Sequence, residues 1–311
     1  MKRFVKEFCS KAKTSNIEVN KDMTTFNTFK IKCKAKVFIT INSYSDLTLL
    51  YYLLDKYKLK SFCLGAGSKV LFCQKNINMI IFKLGDSFCK IEKIGGSVLA
   101  GGGVSMGALC SYCNKNNLSC VEWGLGIPCT IGGGVYMNAG CYGKSFSDIV
   151  IKVFYTDGKR IYSLEGESCE FGYRKSFFQN KNYVILYVLL KTSKKANIKK
   201  ITQDNFAIKV NSQPYALPSC GSVFRSSILP APVFIEGCGL KGLKIGGAEV
   251  SKKHCGFIVN KKNATSKQVL KIIYKIKKTV LQKSAIILDN EIILLGEKHG
   301  IFWRLSHPYY M

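Results

Sequence analysis

A chain of 311 residues with 47% hydrophobic and 21% charged residues can bury a sizeable core in two or three domains, and this balance excludes a disordered protein. Its 47 Lys and Arg against 19 Asp and Glu leave a formal charge of +28, but the Lys are dispersed and no aromatic-interleaved pattern accompanies them, so no nucleic-acid partner is expected. No apolar run reaches the roughly 20 residues that span a bilayer, and Met1–Glu7 meets charge before any apolar h-region could form, so the expectation is a cytoplasmic protein with neither membrane span nor secretory signal.

The 14 Cys stand singly along the chain and read as reduced, buried, small apolar residues. Cys110-Ser111-Tyr112-Cys113 is the one CxxC, and no second pair stands at zinc-site spacing, so no metal is expected.

In chain order, Val37–Ile41 reads as a strand, and Ser43 or Ser45 caps a helix with an apolar face of Leu47, Leu50, Tyr51 and Leu54. A strand at Phe62–Leu64 ends in Gly65-Ala66-Gly67-Ser68-Lys69-Val70-Leu71-Phe72, and another strand follows at Met79–Leu84. Gly65-x-Gly67 suits either a phosphate cradle of bare N–H groups or a plain tight turn. Lacking a third Gly and a following helix, it is not a dinucleotide fingerprint. A strand at Ser97–Ala100 and a helix from Ser105 to Asn116 precede the run Gly124–Gly143, whose many Gly interleave with Ile127, Ile131, Val135 and Met137. Ordering so much Gly is costly, and the usual return is backbone lying flat against a large ligand.

Strands are expected at Ile149–Tyr155 and Arg160–Tyr162 around an Asp157-Gly158 turn, and again at Tyr183–Leu190. Lys194–Val210 reads as a connector with a partial helix, and as the domain boundary. Pro218-Ser219-Cys220-Gly221-Ser222-Val223-Phe224-Arg225 should enter extended, with Gly221 allowing a left-handed turn that presents the Ser222 hydroxyl. Thr265 and Gln268 form a capping box for a helix with the stripe Val269, Ile272, Ile273, Ile276 and Val280. Strands at Ala285–Leu288 and Glu291–Leu295 around Asp289-Asn290 close the domain, and the tail from Glu297 carries no signal.

Taken together and in order, these stretches resemble the UDP-N-acetylenolpyruvoylglucosamine reductase family over roughly Met23 to Gly296. Thr24–Ile31 is similar to the family's opening motif, Leu64–Leu71 to its first flavin loop and Gly124–Gly143 to its second. Tyr173-Arg174-Lys175-Ser176 matches Tyr-Arg-x-Ser, and Gly221–Phe224, Gly239–Gly242 and Ala248–Asn260 match the third domain. The resemblance implies an α+β fold: a two-part FAD-binding module of the vanillyl-alcohol-oxidase (PCMH) type, followed by a smaller α/β substrate-binding domain. The corresponding spans are 1–86 and 87–210 for the two flavin parts, 211–297 for the substrate domain and 298–311 for a tail.

The implied chemistry is NADPH-dependent reduction of a UDP-sugar enolpyruvyl ether through non-covalent FAD, by an enzyme expected to be a monomer. Ser222 is then the proton donor, Arg174 the cation that polarises the substrate carboxylate, and Glu291 the acid that stabilises the enolic intermediate. FAD contacts fall on Gly65, Ala66, Gly67 and Ser68, and on Gly126, Ile127, Pro128, Gly132, Gly133, Asn138, Ala139, Gly140 and Tyr142. Tyr173, Arg225 and Glu249 are the implied substrate contacts. The chain departs from the family pattern at Lys32-Cys33-Lys34 (for Gly-Gly-Pro), Cys129 (for Gly), Arg225-Ser226-Ser227 (for Lys-Asn-Pro), Glu249 (for Gln) and Ile293 (for Arg). Two rival readings are another flavin oxidoreductase on the same module and a serine hydrolase pairing Ser222 with His254. The sequence has no Gly-x-Ser-x-Gly elbow to support the latter.

Overall fold

The computed structural model describes residues 1–226 and 228–296. The tail from Glu297, for which the sequence offers no reading, and Ser227 lie outside the described residues. The chain forms two compact units, each assembled from separate segments. The first gathers Met1–Lys21, Lys36–Ala66 and Met79–Ile208; the second gathers Asp22–Ala35, Gly67–Asn78 and the chain from Lys209.

In the first unit the amphipathic helix Lys2–Lys11 buries Phe4 and Phe8 in a core with Leu47, Leu50 and Leu53 of the helix Tyr44–Lys56. Ser43 is the cap of the latter helix, its hydroxyl accepting from the Asp46 amide at 3.2 Å. A four-stranded sheet runs in the order Asn16–Asp22, Lys34–Ile41, Asn76–Leu84, Ser61–Cys63. A five-stranded antiparallel sheet runs in the order Ile161–Glu165, Val150–Thr156, Val184–Lys191, Ser97–Gly101, Ile91–Ile94. The hairpin expected at Asp157-Gly158 forms: the Asp157 carboxylate accepts from the Lys159 and Arg160 amides, and Gly158 takes φ +87°.

The expected connector with a partial helix is instead a full 15-residue helix, Ile198–Ser212. Its apolar stripe is thin because Thr202 occupies a wholly buried position, its hydroxyl within hydrogen-bond reach of the Ile198 carbonyl and of the Asn114 side-chain amide. A polar residue spending its hydroxyl in this way hides a buried face from hydrophobic periodicity.

The second unit carries an antiparallel sheet in the order Ser219–Ser222, Phe257–Asn260, Ala248–Val250, Lys244–Ile245. The helix Ser266–Ser284 packs its expected stripe, Val269, Ile272, Ile273, Ile276 and Val280, into one core with Ala248, Val250 and Ile258. Each such side chain contributes about 1.5–3 kcal/mol by leaving water. Thr265 and Gln268 form the reciprocal capping box.

The closing strands differ from expectation. Ala285 caps the helix in a left-handed conformation (φ +54°), and Leu288 packs into the core without ladder partners, so 285–288 is not a strand. Asp289–Asn290, expected as the turn, is itself a strand antiparallel to Phe224–Arg225, and Ile293–Leu295 pairs in parallel with Val70–Phe72. Hydrophobic pattern predicts apolar strands, but here the ladder partner decides.

All 14 cysteines are free thiols; Cys9 and Cys89 are exposed, contrary to the expectation of burial throughout. No helix of the described residues is long and apolar enough to cross a membrane.

Candidate active site

In the first unit the two Gly-rich stretches meet. A side chain at Gly65 would come within 2.8 Å of Thr130 Oγ1, so the bare backbone there is required by close approach. The amides of Gly65 and Ala66 donate to no acceptor among the described residues. Such bare N–H groups at a strand end are what an anionic group can use.

The Gly124–Gly143 run is a braced scaffold, and it contains a short helix, Ile131–Tyr136, that the Gly count obscured. Thr130 caps it by accepting from Gly133 N, while Ile131 N donates to the Val104 carbonyl and Gly132 N to the Gly102 carbonyl. Cys129, standing where the family has Gly, keeps an ordinary negative φ and so strains nothing. Gly126, Ile127 and Pro128 form the turn before it, with Ile127 N donating to the Gly124 carbonyl.

After the helix, Asn138 spends both ends of its buried amide on the protein: Nδ2 donates to the Gly172 carbonyl at 2.9 Å, and Oδ1 accepts from Ser147 N at 3.0 Å. Ala139 N donates to the Gly134 carbonyl, and Gly140-Cys141 pairs with Lys144-Ser145. Tyr142 donates to the Asn205 carbonyl; burial first, then neighbouring Cys141, pushes its hydroxyl up to about 12.

The same scaffold holds Arg174. Gly172 and Lys175 exchange both backbone hydrogen bonds, which puts Tyr173 and Arg174 at the centre of a tight turn. Ser176 Oγ and Gln179 Nε2 both donate to the Tyr136 carbonyl, and Gln179 also donates to the Arg174 carbonyl. Arg174 is thereby held at φ +55°, a left-handed conformation that costs a residue with Cβ about 1–2 kcal/mol. Its guanidinium lies 5.1 Å from the ring of exposed Tyr173 and reaches the Gly140 carbonyl at 3.4 Å.

In the second unit the ladders assemble Ser222, Glu291 and Lys69. Gly221 takes φ +71° where the Ser219–Ser222 strand shifts register against Phe257–Asn260, the left-handed turn expected from sequence. Ser222 Oγ donates to the Phe224 carbonyl at 3.2 Å. Phe224 faces Asn290 across the next ladder, and Glu291 N donates to the Val223 carbonyl at 2.8 Å, which brings residue 291 beside residue 222. Glu291 is buried. Lys69 Nζ lies 2.6 Å from Glu291 Oε1 and donates to the Ser222 carbonyl, also at 2.6 Å. Cys220, two positions before Ser222, is fully enclosed, and burial above all pushes its thiol up to about 12.

The amides of Gly67 and Ser68, just before Lys69, likewise donate to no acceptor among the described residues. Arg225 lies 4.0 Å from Asp289 on a half-exposed edge, a pairing worth little. Glu249 stands opposite Val259 and Lys244, on the face away from Ala248 and Val250. Its buried carboxylate has no partner among the described residues. His254 Nδ1 accepts from Gly256 N, and its ring packs edge-on against Phe257, while the Ser222 hydroxyl is spent on the Phe224 carbonyl.

The chain aligns along nearly its whole length with UDP-N-acetylenolpyruvoylglucosamine reductase of Bacillus subtilis, at 34% identity over 95% of this chain and 99% of the relative. The chain belongs to the UDP-N-acetylenolpyruvoylglucosamine reductase family. The protein of that name from Borreliella burgdorferi is also 34% identical, over 96% of this chain and 99% of its own. Residues 213–295 match the family model for the C-terminal domain of the reductase, and residues 35–159 match that of an FAD binding domain. The crystal structure of the reductase from Thermus caldophilus superposes with a TM-score of 0.76 over 91% of this chain and 99% of that one, at 24% identity. The fold is thus the α+β one implied by the resemblance, a flavin-binding module with a smaller substrate domain.

The sequence places Ser222 and Glu291 in motifs but does not reveal that Lys69 contacts both. The one available signal was a cation between a Gly-rich turn and an apolar run, and its partners lie 153 and 222 positions away. Thr130 and Gln179 are bracing residues recognisable only from what their polar atoms touch, and Asn138, expected as a flavin contact, spends its side-chain amide on the same bracing.

Proposed function

We propose that this chain reduces UDP-N-acetylglucosamine-enolpyruvate to UDP-N-acetylmuramate, with NADPH as reductant and non-covalent FAD as carrier, in peptidoglycan precursor synthesis. Family membership supports the reaction, and the observation that carries the site is the ladder pairing that sets Ser222 beside buried Glu291. The flavin fits the loops present: the bare amides of Gly65 and Ala66 meet an anionic group, and the braced 126–142 run offers a fixed backbone surface. Bound there, the flavin would supply hydride transfer from NADPH to the enolpyruvyl methylene carbon.

The chain's own residues then handle charge and the proton. Arg174 forks onto the substrate carboxylate and draws negative charge toward it as the double bond is lost. Glu291, its carboxylate paired with Lys69, accepts a hydrogen bond from the hydroxyl of the enolic centre. Ser222 gives its hydroxyl proton to the carbon beside the methylene and is reprotonated from water. Tyr173, Arg225 and Glu249 are assigned to substrate contacts, the last where a diphosphate lies. Residues 1–86 and 87–210 are assigned to the flavin module and 211–297 to the substrate domain. The enzyme is placed in the cytoplasm as a monomer, and its product ties it to cell division and the cell cycle.

The test is optical. Purified protein should be yellow, NADPH should bleach it, and the enolpyruvyl substrate should restore the colour. In Ser222→Ala, bleaching should keep its rate while recolouring slows by on the order of 100-fold or more. Colourless protein that gains no flavin absorbance with added FAD overturns the reaction. Equal slowing of both halves removes Ser222 from proton delivery.

A further inference from the structure

Resting on the reading of Ser222 and Glu291 above, we propose that Lys69 is a positioning residue for proton delivery, its ammonium locking the carboxylate of Glu291 to the main chain of Ser222. One nitrogen lies 2.6 Å from Glu291 Oε1 and 2.6 Å from the Ser222 carbonyl oxygen, so the two oxygens sit within two hydrogen-bond lengths of each other.

The Glu291 side chain is 2% exposed and that of Lys69 24%. A carboxylate so enclosed needs a compensating charge, and removing one partner of a buried pair is far costlier than never having built it.

The backbone aims the lysine. The Lys69 carbonyl accepts from Ile293 N at 2.7 Å, and Val70 pairs with Ile293 in parallel register. Lys69 therefore leaves a strand that runs beside the one following Glu291. Gly221 completes the fit, because a Cβ there would stand 3.3 Å from Nζ and 3.6 Å from Cε. The residue that allows the left-handed turn before Ser222 also leaves room for the ammonium.

The chemical consequence follows from where charge appears. When Ser222 yields its proton, negative charge develops on that residue, close to an acid. A cation anchored on the Ser222 carbonyl and on Glu291 offsets the repulsion and keeps the hydroxyl from drifting. Lys69 touches neither substrate nor flavin in this role; it acts through the two residues it joins.

The experiment uses the full-length holoenzyme. In Lys69→Met, NADPH bleaching should stay within about twofold of normal, while recolouring by the enolpyruvyl substrate falls on the order of 10-fold or more. Lys69→Arg, which keeps the cation, should recover to within roughly threefold of the wild-type rate. Melting supplies a readout free of turnover: Lys69→Met should lower Tm by taking the cation away from buried Glu291, and Lys69→Met with Glu291→Gln should regain most of the loss. If Lys69→Met does not fold, Lys69→Gln, which keeps a donor without the charge, takes its place under the same expectations.

Wild-type recolouring in Lys69→Met or Lys69→Gln, while Ser222→Ala remains slow, overturns the role of Lys69 alone. Equal slowing of both halves reduces Lys69 to a structural residue and also overturns it. Normal recolouring in Ser222→Ala removes the underlying reading, and the proposal with it.

Discussion

Gly67 and Gly143 share a left-handed backbone, at φ +66° and +72°, yet differ in what surrounds them. A Cβ on Gly67 would stand 2.0 Å from the Phe26 carbonyl oxygen, 3.0 Å from its carbon and 3.1 Å from Asn27 Cα; a Cβ on Gly143 would meet nothing within 4 Å. In Gly143→Ala only the conformational cost applies, about 1–2 kcal/mol, partly offset by the stiffer unfolded chain, for a net of about 1 kcal/mol. Gly67→Ala carries that cost too and also needs Phe26 to retreat by roughly 1 Å or more. Phe26 is not free to do so. The buried amide of neighbouring Asn27 donates to the Met23 and Ile31 carbonyls and accepts from Ile31 N. Overpacking against a fixed backbone adds about 1–3 kcal/mol, so Gly67→Ala should lose about 2–4 kcal/mol in all. Melting curves followed by circular dichroism should therefore put Gly67→Ala well below Gly143→Ala, with bound flavin lost only from the former. Equal Tm values for the two variants would refute the steric reasoning.

Two further outcomes follow from buried acids. Asp46 is 2% exposed; burial pushes its carboxyl up, but hydrogen bonds from the Lys13 and Thr14 amides and from Ser15 and the Thr14 hydroxyl outweigh that and hold it well below the ordinary carboxylate range. A depressed pKa stabilises above the unfolded value near 4 and is lost as pH falls below it. Asp46→Asn should thus cost about 2–3 kcal/mol at pH 7, with the Tm gap to wild type narrowing toward pH 3; a gap constant with pH would contradict the assignment. Glu249→Gln should leave Tm unchanged or slightly raised, because the buried carboxylate it replaces has no partner among the described residues. With Glu249 at the substrate diphosphate as proposed, removing that charge should lower the KM for the UDP-sugar roughly 5- to 10-fold with kcat little changed. An unchanged or higher KM would displace Glu249 from the diphosphate site.

Local elements with a private signature were legible. Thr265 with Gln268, Ser43 before its helix, Asp157-Gly158 in its hairpin and Gly221 in its left-handed turn each satisfy a backbone need within a few residues, so sequence suffices to place them. Elements whose existence depends on a distant partner were misread. Asp289-Asn290 looks like a turn until Phe224–Arg225 supplies its ladder, and the Ile198–Ser212 helix hides a buried face behind Thr202.

The site divides along the same line. Taken alone, the sequence determined which chemistry-bearing residues stand in which motifs: Gly-rich loops without a dinucleotide fingerprint, a Ser after a flexible Gly, and Tyr-Arg-x-Ser. The tertiary structure decided what those residues do to one another. It holds Arg174 in a strained turn by way of Gln179 and Asn138, and it carries Lys69 across the chain to Glu291 and Ser222. A motif records what a segment needs from its own backbone. An ion pair between residues 222 positions apart exists only once separate strands share a register, and no window along the chain contains that information.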